Sequence, residues 1–344
     1  MKQIVNIADG GTEVLKIQES TKPTPQSSEI LIRIRAAGLN FADIQARKGQ
    51  YADAPSKPCV MGYEVSGTVD EVGEGVDKEW KGRPVVAMTR FKGQAEYVVV
   101  STDQVFEKPD LLTFEEAAAI PVNYLTAYVL TEVMGGLKSY ESILVHNAGG
   151  GVGLAAVDIS RHIGAKIFGT ASSHKHEILK SRGIDEVVDY NNHDWLDWIR
   201  SKTNQQGVEL VIDPLGGRHW KKSYRALRAT GRLGMFGVSS ASKRNTGRWK
   251  AKWDLLKTVL KMPFFHPIPL TNKNNGVFGV NLGHLWHETG KARQWINTIK
   301  EGIDDGWVRP RVDQTFPFSK VQEAHRYIED RRNIGKVVLI PDYE

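Results

Sequence analysis

Residues 142–164 read SILVHNAGGGVGLAAVDISRHIG, a short apolar run that passes directly into Gly149, Gly150, Gly151 and Gly153 and then into a helix-like stretch. This join restricts the fold more than any other feature of the chain. Four to five apolar residues bounded by turn signals suit a buried strand, and glycines allow the backbone to turn sharply into the helix behind it. The pattern then repeats. AKIFGTAS precedes HKHEILKSRG, EVVDY precedes HDWLDWIRSKT, and GVELVIDPLGG precedes a helix expected through WKKSYRALRAT, after which GRLGMFGVSS reads as a strand. Such alternation predicts a parallel sheet covered on both faces, and right-handed crossovers make it doubly wound.

The remainder differs. Residues 1 to about 122 are β-rich, with a strand expected from Glu29 to Ala36 and further short runs in YEVSGTVDEVGEGV, PVVAMTR and AEYVVVST. Gly and Pro between short strands predict a small barrel or sandwich. LLTFEEAAAIPVNYLTAYVLTEVM is helical and broken by Pro121. The final block, with GKVVLIP as a last strand, is expected to return and complete the first domain. The boundaries expected are 1–122 with 276–344 for one domain and 123–275 for the other, and 344 residues suit two cores.

Residues 243–265 interrupt the alternation with a basic, aromatic segment in which Trp249, Trp253, Leu256, Val259 and Leu260 share one helical face. Packing as a lid or dimer element is the favoured reading. Docking on an anionic membrane surface is the other.

Hydrophobic residues make up 40% and charged residues 25%, a globular composition. No apolar run approaches the roughly 20 residues that span a bilayer, and no nucleic-acid motif is present. Cys59 is the lone cysteine, so an intramolecular disulfide or a thiolate-rich zinc lobe is excluded, which favours a reducing cytoplasm. The net charge of +6 fits an ordinary surface or an attraction for an anionic ligand. His284 and His287 lie three apart without an evident third ligand, so no metal site is expected from the histidines.

Within the loop, Gly151-Val152-Gly153-Leu154-Ala155-Ala156 fits the G-x-G-x-x-A fingerprint of a dinucleotide site. The glycines let the backbone approach a pyrophosphate, and the helix start offers free N–H groups and a partial positive charge. A purely structural βα turn is the alternative. An NAD site wants a carboxylate at the end of the second strand. Here IFGTASSHKH follows Lys166 and Glu177 is the first acid. Ser172, Ser173 and Lys175 instead suit a 2′-phosphate, which predicts NADPH over NADH. A polar helix cap is the alternative for these three.

With those residues in view, the chain resembles the medium-chain dehydrogenase/reductase superfamily and, more narrowly, its zinc-independent quinone oxidoreductases. The resemblance rests on AAGLNFADIQARKGQY (36–51), MGYEVSGTV (61–69), GVDKEWKGRPVVA (75–87), AAAIPVNYLTAY (117–128), the glycine loop, VIDPLGG (211–217) and NIGKVVLIP (333–341). GTASSHKHEILK and GVFGVNLGHLW resemble the branch that includes the vesicle amine transport protein and its homologues. It implies an α/β protein with a GroES-like β-barrel domain, a Rossmann domain and an active site between them.

The resemblance also implies where the cofactor lies. Gly150, Gly151, Val152 and Gly153 hold the pyrophosphate; Ser172, Lys175 and Tyr190 match contacts to the 2′-phosphate. Thr126, Phe236, Val238 and Phe278 match residues beside the ribose and nicotinamide, Asn333 and Lys336 match tail contacts, and Asn40 lies near the ring. Asn147 departs from the small residue common at the head of the loop. Where zinc-dependent relatives place Cys and His ligands, this chain has Asn40 and Tyr63, both poor ligands for zinc. The expected activity is zinc-independent, NADPH-dependent reduction of quinones or α,β-unsaturated carbonyls. Asn40 and Tyr51 are the candidate donors to the developing oxyanion, and Asp43 orients their loop. Tyr51 is expected to be protonated at neutral pH, given a phenol pKa of about 10. A 2-enoyl-thioester reductase is one alternative. A nucleotide-binding protein of vesicle or membrane association, with little turnover, is another. Homodimerisation through the Rossmann sheet edge is the family habit.

Overall fold

The structure, a computed structural model, describes residues 1–242 and 248–343. Its larger feature is an all-parallel six-stranded sheet. In spatial order the strands are Glu186–Val188, Lys166–Thr170, Ser142–His146, Val208–Asp213, Leu227–Met235 and Gly276–Gly279. The chain thus begins in the middle, runs outward, and returns past its start. The reversal falls between Ser142–His146 and Val208–Asp213, where a doubly wound sheet opens its ligand crevice. Helices cover both faces, so the central strands are apolar throughout rather than alternating. Ile143, Leu144, Val145, Leu210, Val211 and Ile212 are all fully buried, each stabilising by roughly 1.5–3 kcal/mol relative to exposure.

A seven-stranded sheet forms the barrel-like unit, running Val312–Pro317, Lys336–Ile340, Glu29–Leu39, Glu64–Val72, Pro84–Met88 and Val105–Glu107, with Tyr97–Ser101 also paired to Glu29–Leu39. The strand expected to stop at Ala36 continues to Leu39 because Ala37–Leu39 pair with the returning C-terminal strand. Irregularities after Leu31 and Ile34 bend it, as bulges do, so that it serves several neighbours. Pro121 sits at the first position of the helix Pro121–Tyr128, where its missing N–H costs nothing.

One expectation is corrected. The helix anticipated through Thr230 stops at Tyr224, and Leu227–Met235 is already strand, held by pairing to Val208–Asp213. Gly276–Gly279, too short to show a pattern, adds an edge strand to the six-stranded sheet. We propose a domain division by sheet membership, which keeps this strand with the second unit. The return to the first unit then falls between the helix Thr289–Asp304 and the strand Val312–Pro317. The units meet at the glycine loop, where Gly335 N–H donates to the Gly149 carbonyl at 3.0 Å. Of the segment 243–265, residues 243–247 and the side chain of Trp249 lie outside the described residues. Trp253, Leu256, Val259, Leu260 and Phe264 are exposed on the single chain, with about half of Leu256 and Val259 covered. Among the described residues, no helix is long and apolar enough to cross a membrane.

Candidate active site in the cleft between the units

The glycine loop is shaped by two demands. Asn147 adopts φ 54°, a left-handed conformation that asparagine tolerates better than most residues. Beyond it the loop packs so closely that side chains have no room. A Cβ on Gly151 would lie 2.5 Å from the Asn123 amide, and one on Gly153 would lie 2.7 Å from the Ala148 carbonyl oxygen. The helix Gly151–Ile163 starts here without a side-chain cap. Its first amides therefore remain available to an anion, and the helix dipole favours one. These features fit a pyrophosphate.

The loop floors a cavity of about 1280 Å³ between the units, above the roughly 300–1,000 Å³ of a single small-ligand pocket. Asn40, Tyr51, Thr126, Gly150, Gly151, Val152, Gly153, Lys175, Tyr190, Phe236, Val238, Asn333 and Lys336 all line it. Phe278 does not. Its ring turns inward over Gly234, and the following Gly279 and Val280 line the cavity instead. Ser172 and Ser173 also stand outside the lining, Ser172 reaching it through its hydroxyl, 3.2 Å from that of Tyr190.

Lys175 is more enclosed than its sequence position suggests. It is 5% exposed, its ammonium donates to the Asn333 carbonyl at 2.5 Å, and burial lowers its pKa to about 8. It still carries charge at neutral pH. Two residues were missed from the sequence. Arg331, in left-handed conformation, lines the same end of the cavity. Asp189 supplies a carboxylate beside Ser173 after all, but it is occupied by the backbone amides of Ser173 and Asn191 at 2.9 Å each. It ends the third strand of the chain's second unit, so a search along the second strand alone passes over it.

At the opposite end Asn40, Glu64 and Lys336 form a buried cluster. The Lys336 ammonium donates to Asn40 Oδ1 at 2.7 Å and to Glu64 Oε1, while Asn40 Nδ2 donates to Glu64 at 2.9 Å. The other Glu64 oxygen accepts from the Val122 amide at 2.8 Å. Asn40's amide is therefore directed at Glu64 rather than into the cavity. Asp43 is fully buried, accepts from the amides of Asn40 and Gly62, and is pushed up to about 7 by desolvation. Tyr51 lines the cavity with its pKa raised by burial and by Asp53, so it is a protonated donor at neutral pH. Its ring meets Tyr63 edge-on at 6.2 Å. Burial drives the Tyr63 phenol strongly upward.

This donor set does not fit zinc. Glu64 is already neutralised by an ammonium, Asp43 is spent on two backbone amides, and the other members are an amide and a buried phenol. A second group, His146, Asp213 and His219, has ligand atoms close together. Its centre is filled by the Ser223 hydroxyl, 2.7 Å from Asp213 Oδ2 and 3.2 Å from His146 Nε2. It is a satisfied hydrogen-bond network.

Residues 26–110 match the alcohol dehydrogenase GroES-like domain, and residues 182–339 match a family described as zinc-binding dehydrogenase. The chain is 37% identical over 332 residues to the synaptic vesicle membrane protein VAT-1 homolog of Danio rerio, covering 96% of this chain and 68% of that protein. Its fold is similar to that of Escherichia coli quinone oxidoreductase complexed with NADPH, with TM-score 0.87, 28% identity, and 99% and 100% of the two chains covered. It is also similar to CurK enoyl reductase, with TM-score 0.85, 26% identity and 99% of each chain covered.

Proposed function

The chain belongs to the medium-chain dehydrogenase/reductase superfamily of oxidoreductases, alongside the VAT-1 homologues, and on that premise we propose that it reduces quinones or α,β-unsaturated carbonyls with NADPH and without zinc. One observation carries the reading: a single cavity joins the glycine cradle and two cations, Lys175 and Arg331, to a protonated phenol at its far end. When bound, NADPH supplies hydride; the protein supplies position and electrostatics.

Each residue then has a task. The amides of Gly151, Val152 and Gly153 bind the pyrophosphate. Lys175 and Arg331 answer the charge of the 2′-phosphate, with Tyr190 and Ser172 adding hydroxyls. Thr126, Phe236 and Val238 wall the nicotinamide end and keep water from it. Negative charge builds on the acceptor's oxygen as hydride arrives, and donors placed there lower the barrier. Tyr51 is the first such donor. Lys336 has a third N–H beyond the two it spends on Asn40 and Glu64, and is the second. Asn40 acts by holding Lys336 rather than by touching the oxyanion.

NADPH oxidation measured over a panel of quinones, enones and enoyl thioesters tests this. Turnover that falls at least about 100-fold in Tyr51→Phe supports it, a typical size for a lost proton donor. Tight NADPH binding with no turnover would replace it by a nucleotide-binding role at membranes. That second reading is favoured by the exposed Trp253, Leu256, Val259, Leu260 and Phe264, and liposome flotation would separate the two. The proposal includes a homodimer through the open sheet edge at Gly276–Gly279, which sedimentation would check.

A further inference from the structure

Asp53 lies just beyond Tyr51 on the first unit, and it reaches across the mouth of the cleft. Its Oδ2 accepts from His284 Nε2 at 2.9 Å and from Asn281 Nδ2 at 3.3 Å. Both partners belong to the second unit, at the turn Leu282–Leu285 and the residue capping it. Asp53 also bears on the Tyr51 phenol, raising its pKa after burial has done so. His284 is 66% exposed. The imidazole and the carboxylate are hydrogen-bonded to each other between bulk water and the cavity, and the carboxylate is near enough to the phenol that lines it to act on it electrostatically. Nothing in the proposed chemistry yet uses it.

The chemistry requires a proton. Hydride delivers two electrons to the acceptor's β-carbon, and the C=C pair shifts so that charge collects on the carbonyl oxygen. The Tyr51 O–H breaks and its proton passes to that oxygen. The phenolate left behind faces Asp53 and Asp43, with Tyr63 against it. Like charges at a half-buried site strongly favour reprotonation. Resting on the reductase reading above, we propose that His284 and Asp53 return the proton to Tyr51 after each turnover. His284 gives its Nε2 proton to Asp53, Asp53 passes one to the phenolate, and the imidazole recovers one from water. The net reaction consumes one reduced nicotinamide, one acceptor and one proton. Asp53 stands outside the cavity lining, while His284 and Asn281 belong to it, and Asn281 holds the carboxylate in line.

The test compares the first turnover with the steady state, using the full chain, NADPH and whichever enone of the panel the wild type reduces. Tyr51 starts protonated, so H284A should leave single-turnover hydride transfer within about two-fold. Its kcat should fall about ten-fold or more, as loss of a proton-transfer group does, and added imidazole should restore it. D53N should show the same split without rescue by imidazole. NADPH affinity, read by fluorescence titration, should be unchanged in both, which shows that the variants are folded. An unchanged kcat in H284A overturns the relay, as does a loss that slows the first turnover equally and resists imidazole. A wild type that binds NADPH but reduces no acceptor of the panel overturns the reductase reading, and the relay with it.

Discussion

Glu64 shows how a single residue can set the state of several others. It is fully buried and compensates the Lys336 ammonium, itself 3% exposed, while accepting from Asn40 and the Val122 amide. Glu64→Gln leaves that ammonium without a counter-charge, and removing one partner of a buried pair costs about 3–5 kcal/mol. Urea unfolding should register a loss of that size. Lys175→Glu acts at the other end of the cavity. It replaces a cation with a carboxylate where the 2′-phosphate is proposed, and calorimetry should find NADPH affinity reduced at least about ten-fold, or 1.4 kcal/mol, with NADH affected less. An equal loss for both nucleotides would remove Lys175 from the phosphate site. Lys175, Asn40 and Lys336 were all expected beside one cofactor, and they line one cavity. The sequence could not reveal that Asn40 and Lys336 share Glu64, because Lys336 lies 296 residues from Asn40 and 272 from Glu64.

Elements were legible where periodicity and glycine chemistry agreed. The strand Ser142–His146 and the helix Gly151–Ile163 follow from an apolar run, a set of glycines and a long apolar face. The edge strand Gly276–Gly279 was not legible, since four residues hold no period and its pairing to Leu227–Met235 is what makes it a strand. Asp189 escaped for a related reason: it comes from a neighbouring strand. The glycine loop itself yields a prediction. In Gly153→Ala the new methyl meets the Ala148 carbonyl, which is backbone and cannot swing aside. Overpacking of this kind costs about 1–3 kcal/mol. Thermal unfolding should show that loss together with abolished NADPH binding, whereas an alanine accommodated without either effect would mean the loop does not need its close approach.

At the scale of the whole molecule, pH acts through buried histidines. His146 is lowered to about 3 and His325 well below its usual value, both chiefly by desolvation, and His325 also faces Arg47 and Lys48. Below about pH 6.5 the unfolded chain takes up protons that these folded residues refuse, so stability falls as pH falls, by up to about 1.4 kcal/mol per pH unit for each. Asp43, raised to about 7, works in the opposite sense between its unfolded value and 7. His325→Leu should therefore flatten the decline between pH 6 and 4.5 in urea titrations at fixed temperature; an unaltered slope would place the proton uptake elsewhere.

The hydrogen bond from Gly335 to Gly149 has a separate consequence. The polypeptide crosses back to the barrel beside the very loop that would grip a pyrophosphate, so neither half can swing far without tugging that loop out of shape. Hinge opening and nucleotide departure should then be one event, and deuterium should enter the amides of Gly335 and of the glycine loop in step, slowing together when NADPH is added.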